Sequence, residues 1–371
     1  MKLAIVHQLP LEIYPPATNA LTLFAGQEGL EIQVWSSDNH KGLARFEADG
    51  IPVIRHDYPG FKCGSLQRLW GFLRWHWRVA RDLHDWQPDV VLSIEPHSAL
   101  APWIHRRLLR GKSRIMVHHH EYYSPADFKR SGNRTVRICR TVEESCLYRE
   151  AEWVSQTNQD RLDLMAHDLP FLKPSQLGLW PNYPPESWLR RAEGAAERRQ
   201  DHIGLRIICV GSLSFEDTYV REIVTWSAAH GREIQLHLCG YNVHQDVWEW
   251  LRKLAAPNVS FDPNGCPYAE LPDLLTRFDV ALVLYKGNTA NFVHNIPNKV
   301  IEALACGLEV WYPQEMTTLT RFRDEHPELP LRALAYKDLP DKIPTTCIKR
   351  PVSGFSAESA SAALLSSILH S

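Results

Sequence analysis

The stretch LVLYKGNTANFVHNIPNKVIEALACGLEVW (282–311) is the most informative part of the chain. Its pattern predicts a buried strand ending at Tyr285, a polar loop, a helix beginning at Pro297, and a tight reversal at Gly307 into another strand. The free amides at the positive end of such a helix are suited to bind phosphate. The segment therefore predicts an α/β unit with an anion site beyond the carboxyl end of a strand.

The same alternation of strand and helix recurs throughout the 371 residues, which are too many for one ordinary core. Strands rich in Val and Ile, separated by helices, indicate parallel sheets covered on both faces. The sequence predicts an α/β protein with two Rossmann-like domains facing each other across a cleft. We expect an N-terminal domain over 1–183, a polar linker over 184–203, a C-terminal domain over 204–355, and a terminal helix within 356–371 that packs back on the N-terminal domain.

Composition indicates a soluble cytoplasmic protein. No window approaches eighteen uninterrupted apolar residues, and MKLAIVHQLP (1–10) reads as a strand rather than a signal peptide. The eight cysteines include no CxxC pair, which favours reduced thiols. The net charge of -2 gives no general preference for nucleic acid, and no nucleic-acid motif is recognised.

Several residues of the C-terminal half are candidates for binding a nucleotide diphosphate. Lys299 adds a cation beside the phosphates, and Lys286 is placed to add a second from the loop. Glu302, one turn into the helix, can accept hydrogen bonds from two ribose hydroxyls. The turn after an earlier strand can bring further amides to the distal phosphate. The complete candidate set is Gly211, Ser212, Lys286, His294, Asn295, Pro297, Asn298, Lys299 and Glu302.

This segment resembles the C-terminal donor-binding motif of GT-B nucleotide-sugar glycosyltransferases, in the retaining family 4-like branch. The match runs through Pro297, Asn298, Lys299, Glu302, Ala305, Gly307 and Val310. The resemblance implies metal-independent transfer of a sugar, with retention of configuration, from a UDP- or GDP-sugar. The implied acceptor is a hydroxyl of a saccharide or lipid-linked molecule in surface polysaccharide synthesis. No cofactor is implied.

Three departures from that family pattern put the donor sugar in question. Members of the branch often carry two glutamates eight positions apart, but here His294 stands eight positions before Glu302. Glu309 replaces the usual proline. PLEIYPPATNA (10–20) occupies the loop where the family has a Gly-Gly turn, and Asn19 in it is a candidate for meeting acceptor or phosphate.

The second candidate site is the run His118, His119, His120, Glu121, which follows a predicted strand. Because side chains alternate along a strand, either His118 and His120, or His119 and Glu121, share a face. The resemblance implies an acceptor-facing acid or imidazole here. We favour His120 and Glu121 as catalytic, followed by His119, and add His7 to the acceptor side. A zinc site in a hydrolase is the competing interpretation.

A third feature is the basic, tryptophan-rich helix predicted over 64–87. Its helical spacing predicts a buried stripe of Leu66, Leu69, Leu73, Trp77 and Ala80. Arginine with tryptophan outside that stripe is compatible with peripheral contact between residues 62–114 and an anionic membrane at its inner face, or with an ordinary solvated side.

Glycosyl transfer is the function that the sequence favours. Two alternatives remain: a nucleotide-sugar epimerase of the same fold, and a degenerate GT-B protein that binds without catalysis.

Overall fold

The computed structural model describes residues 1–38, 45–47, 50–58, 65–129, 134–196, 204–240, 242–346 and 350–370. The chain forms two compact units, one of Met1–Asn182 with Ala357–Ser371 and one of Tyr183–Ser356. Each unit is described separately below. Among the described residues, no helix is both long and apolar enough to cross a bilayer.

The first unit is built on a seven-stranded parallel sheet with strand order β3-β2-β1-β4-β5-β6-β7. Its central strand, β4, is buried along its whole length, as expected for a sheet covered on both faces. The strands are β1 (Lys2–His7), β2 (Glu31–Ser37), β3 (Val53–His56), β4 (Val90–Ile94), β5 (Arg114–His118), β6 (Trp153–Gln156) and β7 (Leu177–Leu179).

Helices cover this sheet and complete its core. Two of them continue as π-helical turns, Ile104–Leu108 after α3 and Glu143–Leu147 between α4 and α5. The helices are α1 (Pro15–Ala25), α2 (Ser65–Trp86), α3 (Leu100–Trp103), α4 (Arg134–Val142), α5 (Tyr148–Glu150) and α6 (Gln159–Asp168). The core joins Val6, Val91, Val117 and Val154 of the strands to α2.

The second unit is built on a six-stranded parallel sheet with strand order β10-β9-β8-β11-β12-β13. Its strands are β8 (Leu205–Val210), β9 (Ile234–Cys239), β10 (Val259–Asp262), β11 (Val280–Leu282), β12 (Glu309–Pro313) and β13 (Leu331–Leu334). Its helices are α7 (Glu186–Ala196), α8 (Val220–Ala229), α9 (Gln245–Arg252), α10 (Leu271–Leu275), α11 (Ala290–Val293), α12 (Asn298–Ala305) and α13 (Thr317–Glu325). Gly307 has the positive φ of 75° that the predicted reversal after α12 requires.

Part of the stretch expected to be a linker is a helix of the second unit. Helix α7 buries Trp188 and Ala192 in the same core as α12. The Trp188 ring also packs against Tyr268, with ring centroids 4.9 Å apart. These two buried residues are isolated among charged residues, so the polar composition of the segment does not indicate a helix that packs into a core. Residues 197–203 lie outside the described residues.

The C-terminal helix α14 (Ala357–Leu369) belongs to the first unit. Leu364 and Ile368 are fully buried, and the Trp180 indole donates to the Ser361 hydroxyl at 3.2 Å. The Arg114 guanidinium donates to the carbonyls of Ser367 and Ile368, at 2.8 and 3.0 Å. These bonds satisfy carbonyls that the helix end leaves without intrahelical partners.

The buried face of α2 differs from the stripe that its sequence predicts. Of that stripe only Ala80 is buried, whereas Leu66, Leu69, Leu73 and Trp77 are exposed. The buried face consists instead of Phe72, Trp75, His76, Val79, Ala80 and Leu83. Both sets keep helical spacing, so periodicity alone could not choose between them. The prediction of the buried face was therefore wrong.

Trp75 and Trp77 provide a direct test of this orientation. Trp75 is fully buried and its Nε1 donates to the Ser36 carbonyl at 3.4 Å, so Trp75→Ala is expected to lower the free energy of unfolding by about 3–5 kcal/mol. Trp77 is 45% exposed, and Trp77→Ala is expected to cost less than about 1 kcal/mol. Urea denaturation measures both values, and a larger loss for Trp77 would contradict the structure.

Candidate functional site

Each sheet has one point where the strand order reverses, and some of the candidate residues lie there. In the first unit the reversal lies between β1 and β4, and in the second between β8 and β11. Open parallel sheets bind ligands beyond the carboxyl ends of the strands at such points. His7 ends β1 and Glu95 follows β4; Gly211 follows β8 and Tyr285 lies shortly after β11.

Glu95 is the residue of the first unit that sequence reasoning missed. Its buried carboxylate accepts backbone hydrogen bonds through Oε1 from the amides of His120 and Glu121, at 2.5 and 3.1 Å. Its φ is 67°, an uncommon value for a residue other than glycine. Burial raises the pKa of Glu95 to about 8, with the Glu121 charge adding to the effect. Its position after the strand DVVLSI (89–94) was the available signal.

His118 and His120 share one face at the end of β5, as alternation requires. His118 Nε2 lies 3.2 Å from His120 Nδ1, and His118 Nδ1 lies 2.8 Å from the Ser155 hydroxyl. His120 Nδ1 also lies 3.0 Å from Asn182 Oδ1. The Tyr14 ring stacks on His120 with centroids 5.6 Å apart. His120 is thus oriented through Nδ1, and Nε2 is buried without a hydrogen-bond partner among the described residues.

The imidazoles of this edge are held neutral. Burial lowers the pKa of His120 to about 4, with the Asn182 hydrogen bond opposing the shift and the Arg161 charge adding to it. Burial also lowers the pKa of His7 to about 3, and the nearby His120 contributes in the same direction. His7 Nδ1 is 2.7 Å from the Leu9 carbonyl oxygen. A neutral imidazole can accept a proton at ordinary pH.

His119 points into a different environment from His120. Its Nε2 lies 2.9 Å from the Tyr148 hydroxyl and 3.4 Å from the Glu143 carboxylate. Arg140 donates to the same hydroxyl at 2.7 Å, so these four side chains form one buried network. Burial raises the pKa of Glu143 to about 8. The structure therefore does not bring His119 together with His120, and its proposed catalytic role has less structural support.

Glu121 and Asn19 are the remaining candidates of the first unit. The Glu121 side chain is about half exposed, with its carboxylate 3.4 Å from Nη2 of the buried Arg161. Arg161 Nη1 donates to the His120 carbonyl at 2.6 Å, which ties the two predicted residues to one cation. Asn19 lies buried in α1. Within the described ranges, no three His, Cys, Asp or Glu side chains are placed to hold a metal ion.

In the second unit, Lys299 lies across the reversal point of the sheet. A Cβ atom on Gly211 would fall 2.8 Å from Lys299 Nζ, and the φ of Gly211 is 126°. The same ammonium lies 4.8 Å from the centroid of the Tyr285 ring. Strands β8 and β11 are neighbours, and α12 supplies the lysine to their shared edge. The structure thus brings together Gly211, Lys299 and the loop after β11.

The start of α12 differs slightly from the prediction. Pro297 is the cap residue before the helix, with ψ of 144°, and Asn298 is the first helical residue. The helix therefore begins one residue later than predicted, and the amides of its first turn are the groups that bind anions at helix starts.

Glu302 is buried in the next turn of α12 rather than displayed on a surface. It lines a small cavity with Lys299 and the apolar side chains of Ile208, Leu271 and Leu275. Burial raises the pKa of Glu302 to about 7, opposed by the Lys299 charge and by a hydrogen bond with Tyr268. The carboxyl group is therefore close to half ionised at neutral pH.

Three of the remaining candidates of the second unit have partners of their own. The Lys286 ammonium donates to the Phe215 carbonyl at 2.7 Å. Ser212 is exposed and its hydroxyl accepts a hydrogen bond from Asn242 at 3.2 Å. His294 ends α11 beside Thr318, and Asn295 follows it, half-buried.

Glu309, a departure from the family pattern, has a structural explanation. Its buried carboxylate accepts hydrogen bonds from Arg332 Nε at 2.7 Å and from Trp311 Nε1 at 2.8 Å. The carboxylate thereby joins β12 to β13, and no ligand is needed to explain it.

No protein-family model matches the chain, and no curated protein matches it by sequence. Solved structures match it at a TM-score of 0.57 for HepE of Anabaena with UDP and glucose (13% identity, covering 85% of this chain and 81% of that one). The E. coli trehalose-6-phosphate protein bound with UDP-2-fluoro glucose gives 0.61 (12% identity, 100% and 92% covered).

A third solved structure is an epimerase. The UDP-GlcNAc 2-epimerase from Neisseria meningitidis, bound to UDP-GlcNAc, gives a TM-score of 0.57 at 12% identity, with 100% of both chains covered. At such identities the likeness establishes the fold. The predicted fold class, α/β with two Rossmann-like units like those of GT-B nucleotide-sugar enzymes, is confirmed.

Proposed function

We propose that the chain is a glycosyltransferase that takes a sugar from a nucleotide-diphosphate donor held by the second unit. The observation that carries this proposal is the Lys299 ammonium lying over Gly211 at the reversal point of the sheet. Because Gly211 has no Cβ, the lysine ammonium can lie against the turn after β8, where the cation and the α12 amides would together bind a diphosphate. The nucleotides in the matching solved structures, together with the PNK motif, support a UDP- or GDP-sugar as donor.

The reaction moves one bond and one proton. The acceptor hydroxyl oxygen forms a bond to the anomeric carbon while the bond from that carbon to the diphosphate oxygen breaks. The leaving diphosphate gains charge, which Lys299 and the first-turn amides offset. The hydroxyl proton passes to Nε2 of the neutral His120, with Glu121 and His7 on the acceptor side. Retention of configuration and independence from metal remain proposals that rest on the resemblance, as does a saccharide or lipid-linked acceptor.

A panel of UDP- and GDP-sugars tested for thermal stabilisation identifies the donor. Lys299→Ala is expected to weaken binding of the selected donor, and of its free nucleotide diphosphate, by roughly ten- to hundredfold, because charge-assisted hydrogen bonds contribute about 1.5–3 kcal/mol. Titration calorimetry measures the change.

Lys337→Ala is the matched control, since Lys337 is an exposed lysine of the same unit. It should bind the nucleotide as the unmodified chain does. Equal affinities for the Lys299 and Lys337 variants would rule out the phosphate role, and a chain that binds no nucleotide diphosphate would be a non-catalytic relative.

Glu302 gives a pH dependence to nucleotide binding. Ribose hydroxyls donate hydrogen bonds to an ionised carboxylate. Because the pKa of Glu302 is raised to about 7, its ionised form is present above pH 7 and is lost as the pH falls through that value. Affinity is expected to drop about tenfold between pH 8 and pH 6.

The Glu302→Gln variant separates this effect from ionisation of the nucleotide itself. Calorimetry on both proteins at each pH should show that the variant loses the part of the dependence that belongs to Glu302. Parallel pH curves for the two proteins would contradict the ribose role.

His120 is expected to act on the chemical step and not on donor binding. His120→Ala should lower kcat by about 10²–10⁴-fold while leaving the affinity for the nucleotide diphosphate unchanged. Since the pKa of His120 is lowered to about 4, its contribution should persist down to about pH 4, below the range where an ordinary histidine gains a proton.

His167→Ala, which removes an exposed histidine of α6, is the control for the His120 variant. Rate measurements use the donor found by the panel. Loss of nucleotide affinity in His120→Ala, or an unchanged kcat, would contradict the assignment.

The epimerase alternative deserves the same assay because one matching solved structure is an epimerase. Turnover of the nucleotide sugar to an isomer with no acceptor present would favour it. Transfer that requires an added acceptor would favour the glycosyltransferase.

A further inference from the structure

Helix α2 has two apolar faces, and within the described parts of the chain only one of them is covered. Phe72, Trp75, Val79 and Leu83 pack into the core of the first unit. Along the other side of the helix, Leu66 is 76% exposed and Trp70 73% exposed. The exposed set, which we call the α2 outer stripe, is Leu66, Leu69, Trp70, Leu73 and Trp77.

The outer stripe is one continuous surface. Its members are spaced at i, i+3, i+4, i+7 and i+11, which places them within about 100° of the helix circumference and along about 16 Å of its length. Of the eight large hydrophobic residues found exposed in the described parts of the chain, five belong to it. Such clustering on one helix indicates a surface for interaction, whereas single exposed apolar residues are ordinary.

Arginines outnumber acidic residues along this helix. From Leu66 to Arg81 it carries Arg68, Arg74, Arg78 and Arg81 and no Asp or Glu, and its two acidic residues, Asp82 and Asp85, follow in the last turns. Arg74 and Arg81 are exposed, and helical spacing places them beside Trp70 and Trp77 at one border of the stripe. The surface is thus apolar along its centre and cationic along its edge.

The second basic run near α2 contributes less to such a surface. Arg106 and Arg107 of 105–112 both form ion pairs with Glu150. Of the region predicted to contact a membrane, 62–114, we therefore consider only α2. Residues 62–64 lie outside the described residues.

We propose that the first unit binds an anionic lipid surface through the α2 outer stripe. Tryptophan and leucine enter the boundary between headgroups and acyl chains, and arginine binds the lipid phosphates, so one surface satisfies both sets of side chains. A second copy of the chain matches less well, because symmetric pairing would bring two rows of arginines together. The proposal does not depend on the reaction proposed above.

Vesicle sedimentation with the full chain tests this proposal. The protein should bind vesicles of phosphatidylcholine with phosphatidylglycerol, should bind phosphatidylcholine alone weakly, and should release as salt is raised. The double variant Leu66→Ser, Trp70→Ser is expected to lose at least about tenfold in partitioning. Arg74→Gln with Arg81→Gln should lose about fivefold for each arginine removed.

Matched controls keep the outcomes distinct. Leu108→Ser with Ile138→Ser removes two exposed apolar residues outside the stripe and should leave binding unchanged. Circular dichroism checks that each variant folds, and none of these residues belongs to the proposed donor or acceptor site. The proposal is overturned if the chain ignores anionic vesicles, if the control variant loses binding equally, or if light scattering shows a dimer that the stripe variant dissociates.

Discussion

The carboxylate of Glu95 fixes the geometry of the first unit's candidate site. One oxygen accepts the amides of both His120 and Glu121, while the Glu95 amide donates to the His118 carbonyl at 2.9 Å. These bonds continue the pairing of β4 with β5 beyond the strand ends, so the His120 backbone cannot shift independently of β4. The unusual φ of Glu95 is the conformational cost of turning this carboxylate back toward the neighbouring strand. Without Glu95 the two amides would be buried donors lacking a partner.

The two units present opposite electrostatic conditions at equivalent places in their sheets. In the first, burial depresses the pKa of His7 and of His120 and raises that of Glu95, so the side chains beyond β1 and β4 are largely uncharged at neutral pH. In the second, Lys299 places a cation over Gly211. A diphosphate is attracted by the second condition and gains little from the first. A hydroxyl that must lose a proton suits the first. These charges support the proposed division of donor and acceptor between the units.

Sequence patterns predicted those parts of the structure that local chemistry determines. Strands such as VVLSI are largely apolar because both faces of the sheet are covered, and Gly307 was identified from the positive φ that its turn demands. The stretch 314–354 was not resolved into α13 and β13, because their residues lack strong periodicity. On α2, two apolar stripes of equal spacing compete, and only packing against the sheet selects Trp75 over Trp77. Glu95 was missed because its partners lie on another strand.

The choice of His120 over His119 follows from where β5 ends. Strand alternation holds through His118, and it sends His119 to the opposite side, into the network of Glu143, Tyr148 and Arg140. The alternation continues to His120, just past the last residue of the strand, but not to Glu121, whose carboxylate lies near Arg161 and does not share a site with His119. Each of the two histidines keeps one buried ring nitrogen without a partner among the described residues, Nδ1 of His119 and Nε2 of His120. What differs is the other nitrogen: His119 Nε2 faces a hydroxyl and a carboxylate, whereas His120 Nδ1 faces the Asn182 amide, and this difference supports the proposed role of His120.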